Sequence, residues 1–204
     1  MKGHSSDQGR TSPVTHPIEI SSDQTLSVLR ALRQIEAVEN NAHIVPSIYY
    51  SWDAEQAEVA LSAQTAAGML VDTDVTVKGT PRWLTLNIGL GRGLLSAGDT
   101  LVLTADAECD RKDDVPLFIR SSVDGAQEDT ELKEKLVVGK SRTVRTLMHT
   151  LRGDDGFVGH DAYHTLIFRL PAKKLRLSLM DLRLNVILAG QGARATPRSI
   201  SEFS

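Results

Sequence analysis

From Pro46 onward, apolar and polar residues alternate with a period of two. Ile48, Tyr50 and Trp52 alternate with Ser47, Tyr49 and Ser51, and Leu84, Leu86 and Ile88 alternate with Trp83, Thr85 and Asn87. Leu101, Leu103 and Ala105 do the same with Val102, Thr104 and Asp106. Further short runs stand at PLFIRSS, KLVV, RTVRTLMHTL, YHTLIFRL, KLRLSL and DLRLNVIL. Turn residues separate most of them, among them Gly79-Thr80-Pro81, Gly98-Asp99, Asp124-Gly125 and Pro171. Period-two runs between Gly, Asp and Pro signals predict half-buried antiparallel strands. No helix-length pattern lies between the strands, which argues against repeated βαβ units. The chain therefore reads as a mainly β protein, an antiparallel sandwich or barrel.

Before Pro46 the period is helical. Asp23 is a plausible N-cap, and Val28, Ala31, Leu32, Ile35 and Val38 recur at the spacing of one helix face, with Asn40-Asn41 as a stop. The pattern predicts one amphipathic helix over 24–39, packed on the main domain or used for self-association. The resulting layout is a flexible arm over 1–20, a helix and connection over 21–45, a β-sandwich over 46–190 and a tail over 191–204. Within the sandwich one phase slip stands out. Leu175, Leu177 and Leu179 share one parity while Leu182, Leu184, Val186 and Leu188 have the other. A bulge or break at Met180-Asp181 is required to keep both sets on one face.

The stretch RWLTLNIGLGRGLLSAG contains Gly89, Gly91 and Gly93 directly after a strand pattern. A dinucleotide fingerprint needs G-x-G-x-x-G opening a helix, whose N-terminus holds the pyrophosphate. Here the third glycine comes one position early, and Gly98-Asp99 follows too soon for a helix. The Gly-Lys-Ser/Thr ending of a P-loop is absent as well. The glycines are expected to join a strand ending near Ile88 to one starting near Thr100, through permissive backbone angles.

Composition narrows the function classes. The 204 residues are 41% hydrophobic and 24% charged, as in an ordinary globular domain. A net charge of -3 removes any global case for nucleic-acid binding. No apolar run is long enough for a membrane span, and the N-terminus lacks a secretory h-region. The default expectation is a cytoplasmic protein, with export by a route lacking a signal peptide left open. The single cysteine, Cys109, leaves no intrachain disulfide or cysteine-rich zinc site.

Two kinds of reactive cluster are worth naming. Asp154, Asp155, His160, Asp161 and His164 crowd the segment GDDGFVGHDAYH, where imidazoles could hold a transition metal or the acids a structural calcium. No other cofactor is implied. A Ser/His/Asp hydrolase can be assembled from so many residues, but Gly-x-Ser-x-Gly is missing and no residue acquires a catalytic role. The sequence favours a binding protein over an enzyme.

The outward faces of the strands carry the more specific signal. Opposite parity to the core directs Trp83, Thr85 and Asn87 outward, and likewise Arg120, Arg169, Arg176 and Arg183. An aromatic ring beside hydrogen-bonding and guanidinium groups suits a sugar ring or an acidic group. The stretches RWLTLNIGLG, LLSAGDTLVLTADA, PLFIRSSVDG, YHTLIFRLPA and LRLSLMDLRLNV, across residues 46–190, resemble a jelly-roll β-sandwich in strand rhythm and turn placement. They are similar to carbohydrate-binding modules and lectin-like domains. The resemblance implies two antiparallel sheets with a ligand on a sheet face or in end loops, and a glycan or acidic saccharide as that ligand. A structural protein, a homo-oligomer associating through residues 24–39 or through the arm, is the alternative; a small hydrolase with an unrecognised site is the third.

Overall fold

The structure, a computed structural model, describes residues 15–32 and 37–190. Helix α1 (Pro17–Ala31) is followed by β1 (His43–Val45), β2 (Ile48–Trp52), β3 (Ala57–Ala66), β4 (Met69–Gly79), β5 (Leu84–Leu94) and β6 (Thr100–Cys109). Then come β7 (Asp113–Val115), β8 (Leu117–Val123), β9 (Ala126–Glu131), β10 (Leu136–Val138), β11 (Thr143–Thr150), β12 (Asp161–Arg169) and β13 (Leu175–Ile187). One sheet has the order β1-β2-β5-β12-β8-β9 and the other β11-β6-β13-β4-β3, with a short β10-β7 pair beside them. Every pairing is antiparallel, and the alternating leucines of β5, β6 and β13 meet in one shared core. The expected mainly β sandwich with one N-terminal helix is what the chain forms. Among the described residues, no helix is long and apolar enough to cross a membrane.

The helix begins earlier than the pattern over 24–39 implies. His16 is its N-cap, its Nδ1 accepting from the Ile18 N–H at 3.2 Å, and Pro17 supplies a preset first turn. Ile18, Ser22, Leu26 and Leu29 form the buried face, whereas Val28 is 48% exposed. The helix stops at Ala31 because Leu32 turns extended, and its carbonyl is taken by the Thr65 hydroxyl. Beyond residues 33–36, which lie outside the described residues, Ala37 bridges to Ser62 and the Val38 N–H donates to Leu61. The apolar spacing there belongs to extended chain laid along β3, so Ala31 and Val38 do not share a helical stripe.

The glycines are also a correction. Strand β5 runs through them to Leu94 rather than ending near Ile88. A bulge lies opposite His164 and Thr165 of β12, which pair with Gly91 and Gly89 and leave Leu90 as the extra residue. Gly91 has φ +86°, and a Cβ there would lie 2.4 Å from the Ser21 side chain of α1. A Cβ on Gly93 would lie 2.9 Å from Ile18. The missing side chains let α1 lie directly on the strand, from which it reaches across to β13, where Glu19 accepts from the Val186 N–H. The slip in β13 is a bulge as expected: the register shifts between Leu179 and Asp181, and both leucine sets face the core, Leu188 beyond the strand end being half-buried.

Candidate functional site

The six-stranded sheet turns one face to solvent, and register determines which side chains share it. Tyr49 of β2 pairs with Asn87 of β5, Asn87 with Ile167 of β12, Ile167 with Phe118 of β8, and Phe118 with Glu131 of β9. These residues form a row across the sheet. A parallel row runs Ser51, Thr85, Arg169, and another brings Thr165, Arg120 and Asp129 together. From Tyr49 to Phe118 is three strand spacings, about 14 Å. A cleft of about 510 Å³ lies over these rows, with Trp83 and Arg82 at one end and Arg120 and Asp129 at the other.

The Trp83 end is built on a buried acid. The Asp53 carboxylate accepts from Arg82 Nε at 2.6 Å and from the Arg82 backbone N–H at 3.2 Å. These bonds hold its pKa below the usual carboxylate range, against the opposing effect of desolvation. Arg82 in turn lies over the Trp83 ring, with Cζ 5.0 Å from the centroid. The indole N–H donates to Ser51 Oγ at 3.3 Å. Trp83 is thus held in place while staying 39% exposed. Next to it, Asn87 is held by bonds from its amide to the Thr85 hydroxyl and the Tyr49 carbonyl, at 2.9 and 3.3 Å.

The guanidinium groups of the cleft differ in their commitments. Arg120 makes two parallel bonds of 2.7 Å to Asp129, and this acceptor raises its pKa. Arg169 donates one bond of 2.8 Å to the Arg82 carbonyl. Among the described residues it forms no ion pair, whereas Arg82 pairs with Asp53 and Glu55 and Arg120 with Asp129.

The structure brings Trp83, Thr85, Asn87, Arg120 and Arg169 to this one cleft. Arg176 and Arg183 lie elsewhere. Both are on β13 of the other sheet, where Arg176 is paired with Asp72 at 2.6 Å and Arg183 with Asp181 at 2.9 Å. Parity shows that a side chain points outward but not from which sheet. Sequence reasoning did not reach Arg82 or Asp129, because their roles come from cross-strand and turn neighbours. The outward parity of Tyr49 and Ser51 was a signal that could have added both to the site.

The histidine and aspartate segment does not converge. His164 is buried, its Nδ1 accepting from the Ser121 hydroxyl at 2.9 Å and its Nε2–H donating to the Gly93 carbonyl at 3.0 Å. That carbonyl can only accept, which assigns the proton to Nε2. Asp155 accepts from the Arg152 N–H at 2.7 Å and faces His149. Asp154, His160 and Asp161 are exposed, and Asp161 is 3.7 Å from Arg92. Among the described residues, no group of three or more His, Cys, Asp or Glu side chains is placed to hold a metal ion. The clustering in sequence is undone because β12 sends alternate residues to opposite faces.

Neither a family model nor a curated protein matches the sequence. Solved structures do. A carbohydrate-binding module, CBM4, superposes with a TM-score of 0.52 at 17% identity, covering 74% of this chain and 95% of that one. The fold is that of a carbohydrate-binding-module-like jelly roll. Weaker likenesses are the family 30 carbohydrate-binding module of a cellulosomal cellulase of Clostridium thermocellum and the N-terminal cellulose-binding domain of Cellulomonas fimi β-1,4-glucanase C. The first has a TM-score of 0.49 at 14% identity, covering 78% of this chain and 99% of that one. The second has 0.45 at 14%, covering 66% and 91%. In this jelly roll the cleft lies on a sheet face, and the N-terminal helix lies along β5.

Proposed function

We propose that this protein is a non-catalytic glycan-binding module whose ligand lies across the solvent face of the six-stranded sheet. The observation that carries this reading is the cleft itself. Trp83, Tyr49 and Phe118 offer aromatic surface along about 14 Å, with Asn87, Thr85, Arg120 and Asp129 between and beside them. Sugar rings present apolar C–H faces to aromatic rings and hydroxyls to fixed donors and acceptors, and shallow clefts of this composition suit both. The likeness in fold to a carbohydrate-binding module supports the same reading. Leu26 and Leu29 of α1 are turned into the core, which favours glycan binding over assembly through that helix.

A glycan array with the whole chain and its Trp83→Ala variant tests the proposal. Binding to a defined saccharide that is lost in Trp83→Ala supports it. Absence of binding to every neutral and acidic glycan overturns it.

A further inference from the structure

Among the described residues most arginines of the two sheets are matched to a carboxylate, with Arg145 of β11 and Arg169 of β12 outside that pattern. In a cleft of about 1140 Å³ at the end of α1, Arg30 and Arg183 share Asp181, and Arg142 holds Asp106 at 2.6 Å. On the five-stranded sheet Arg176 is matched to Asp72. Within the aromatic cleft Arg82 and Arg120 have their acids too. Arg169 departs from this pattern, with one bond to a neutral backbone carbonyl.

That bond fixes the guanidinium beside Trp83 without using its charge. A guanidinium has five N–H donors in a planar fork, so most of the fork of Arg169 stays available to a ligand. A fork of this kind matches a carboxylate or a sulfate through two parallel bonds. The chain as a whole carries a net charge of -3, so attraction of an anion has to come from this local charge and not from the protein's general field. The opposite end of the cleft has a different character, because Asp129 neutralises Arg120 and Glu131 stands in the same face. The cleft is therefore polar along its length: at the Trp83 end Asp53 and Glu55 answer Arg82 and leave the Arg169 guanidinium without a carboxylate, while the β9 end is neutral to acidic.

We infer that the cleft selects an acidic glycan, whose carboxylate or sulfate group is taken by Arg169 beside Trp83 while neutral sugar rings lie toward Phe118 and Arg120. The inference rests on the glycan reading above and adds the charge class and the orientation. Uronic acids and sulfate esters present the same chemistry to the fork.

Calorimetric titration with three oligosaccharides tests it: an oligogalacturonide, a sulfated galactan oligosaccharide and a neutral galactan oligosaccharide. An acidic ligand is expected to bind about tenfold or more tightly than the neutral one, with the advantage shrinking as salt rises. Preference for the oligogalacturonide assigns the group as a carboxylate, and preference for the galactan sulfate assigns it as a sulfate. Arg169→Gln is expected to lower acidic binding more than neutral binding and so remove the advantage, and Arg169→Lys to restore part of it, with unfolding midpoints confirming that both variants fold. Equal affinity for neutral and acidic ligands, or an equal loss of both in Arg169→Gln, overturns the inference while binding that depends on Trp83 keeps the glycan reading intact. No binding to any of the three, where the array has found a glycan of another class, also overturns it.

Discussion

Asp53, 1% exposed, accepts a 2.6 Å hydrogen bond from Nε of Arg82, and Arg82 lies over the ring of Trp83. A buried carboxylate thereby sets the position of an exposed indole that it does not touch. Replacing Asp53 with Ala frees the guanidinium and is expected to lower the urea midpoint. It also weakens glycan binding about tenfold by letting the indole move, as for loss of one well-placed aromatic contact. Urea denaturation and calorimetric titration read the two effects separately. Unchanged affinity in a folded Asp53→Ala variant would show that Trp83 is positioned without Arg82.

Tyr49 and Phe118 occupy one register row with Asn87 and Ile167 between them. Each truncation to Ala is expected to weaken saccharide binding about three- to tenfold. Both side chains are half-buried on the solvent face and neither belongs to the shared core, so unfolding midpoints should move little. A loss of affinity in Trp83→Ala with none in either of these variants would confine the ligand to one end of the cleft.

The outward parity of Thr85, Asn87, Arg120 and Arg169 was legible in the sequence because each stands at opposite parity to the core leucine, isoleucine and phenylalanine positions of its strand, although Asn87 is itself buried among its neighbours on that face. What parity could not supply was adjacency, and Arg176 and Arg183 show the consequence: equally outward, they face away from the cleft on the other sheet. The hairpin of β3 and β4 was hidden for a different reason. Its inward positions include Ala63, Thr65 and Thr73, small or polar residues that carry little hydrophobic signal although each is buried. The helix boundary was missed because the decisive start signal is a histidine cap before Pro17, while Asp23 offered a more familiar one.

Gly91 shows how the glycine run serves the fold. A side chain there meets two penalties, the positive φ of +86° and a Cβ 2.4 Å from that of Ser21. Gly91→Ala is expected to destabilise the protein by about 2–4 kcal/mol and to expose the amides of α1 to hydrogen exchange. Ser21→Gly in the same chain relieves the overlap and should recover part of the loss. Full stability in Gly91→Ala alone would contradict the close docking of α1 on β5.

Burial lowers the pKa of His164 below its ordinary value, with the bond to the Gly93 carbonyl opposing the shift and nearby His16 adding to it. The unfolded chain therefore takes up a proton at His164 that the folded chain resists. Its contribution to stability is complete above about pH 6.5 and is lost as pH falls from there through the depressed folded-state value. The urea midpoint should drop between pH 7.5 and pH 5, and His164→Gln should flatten that interval. The arginine-bonded carboxylates of Asp53 and Asp106, whose pKa values are lowered, act in a separate window below about pH 4. A wild-type profile that stays level from pH 7.5 to 5 would contradict a neutral, buried His164.

The central claim is that a glycan lies on the solvent face of the six-stranded sheet. Amide chemical-shift mapping of the isotope-labelled chain, titrated with the saccharide that the array selects, tests this most directly. The expected result is a continuous band of shifts through Tyr49, Trp83, Asn87, Phe118 and Arg169, saturating with a single affinity. Shifts gathered instead on the β13 and β4 face around Arg176 and Asp72, or none at a concentration where the array reports binding, would contradict it.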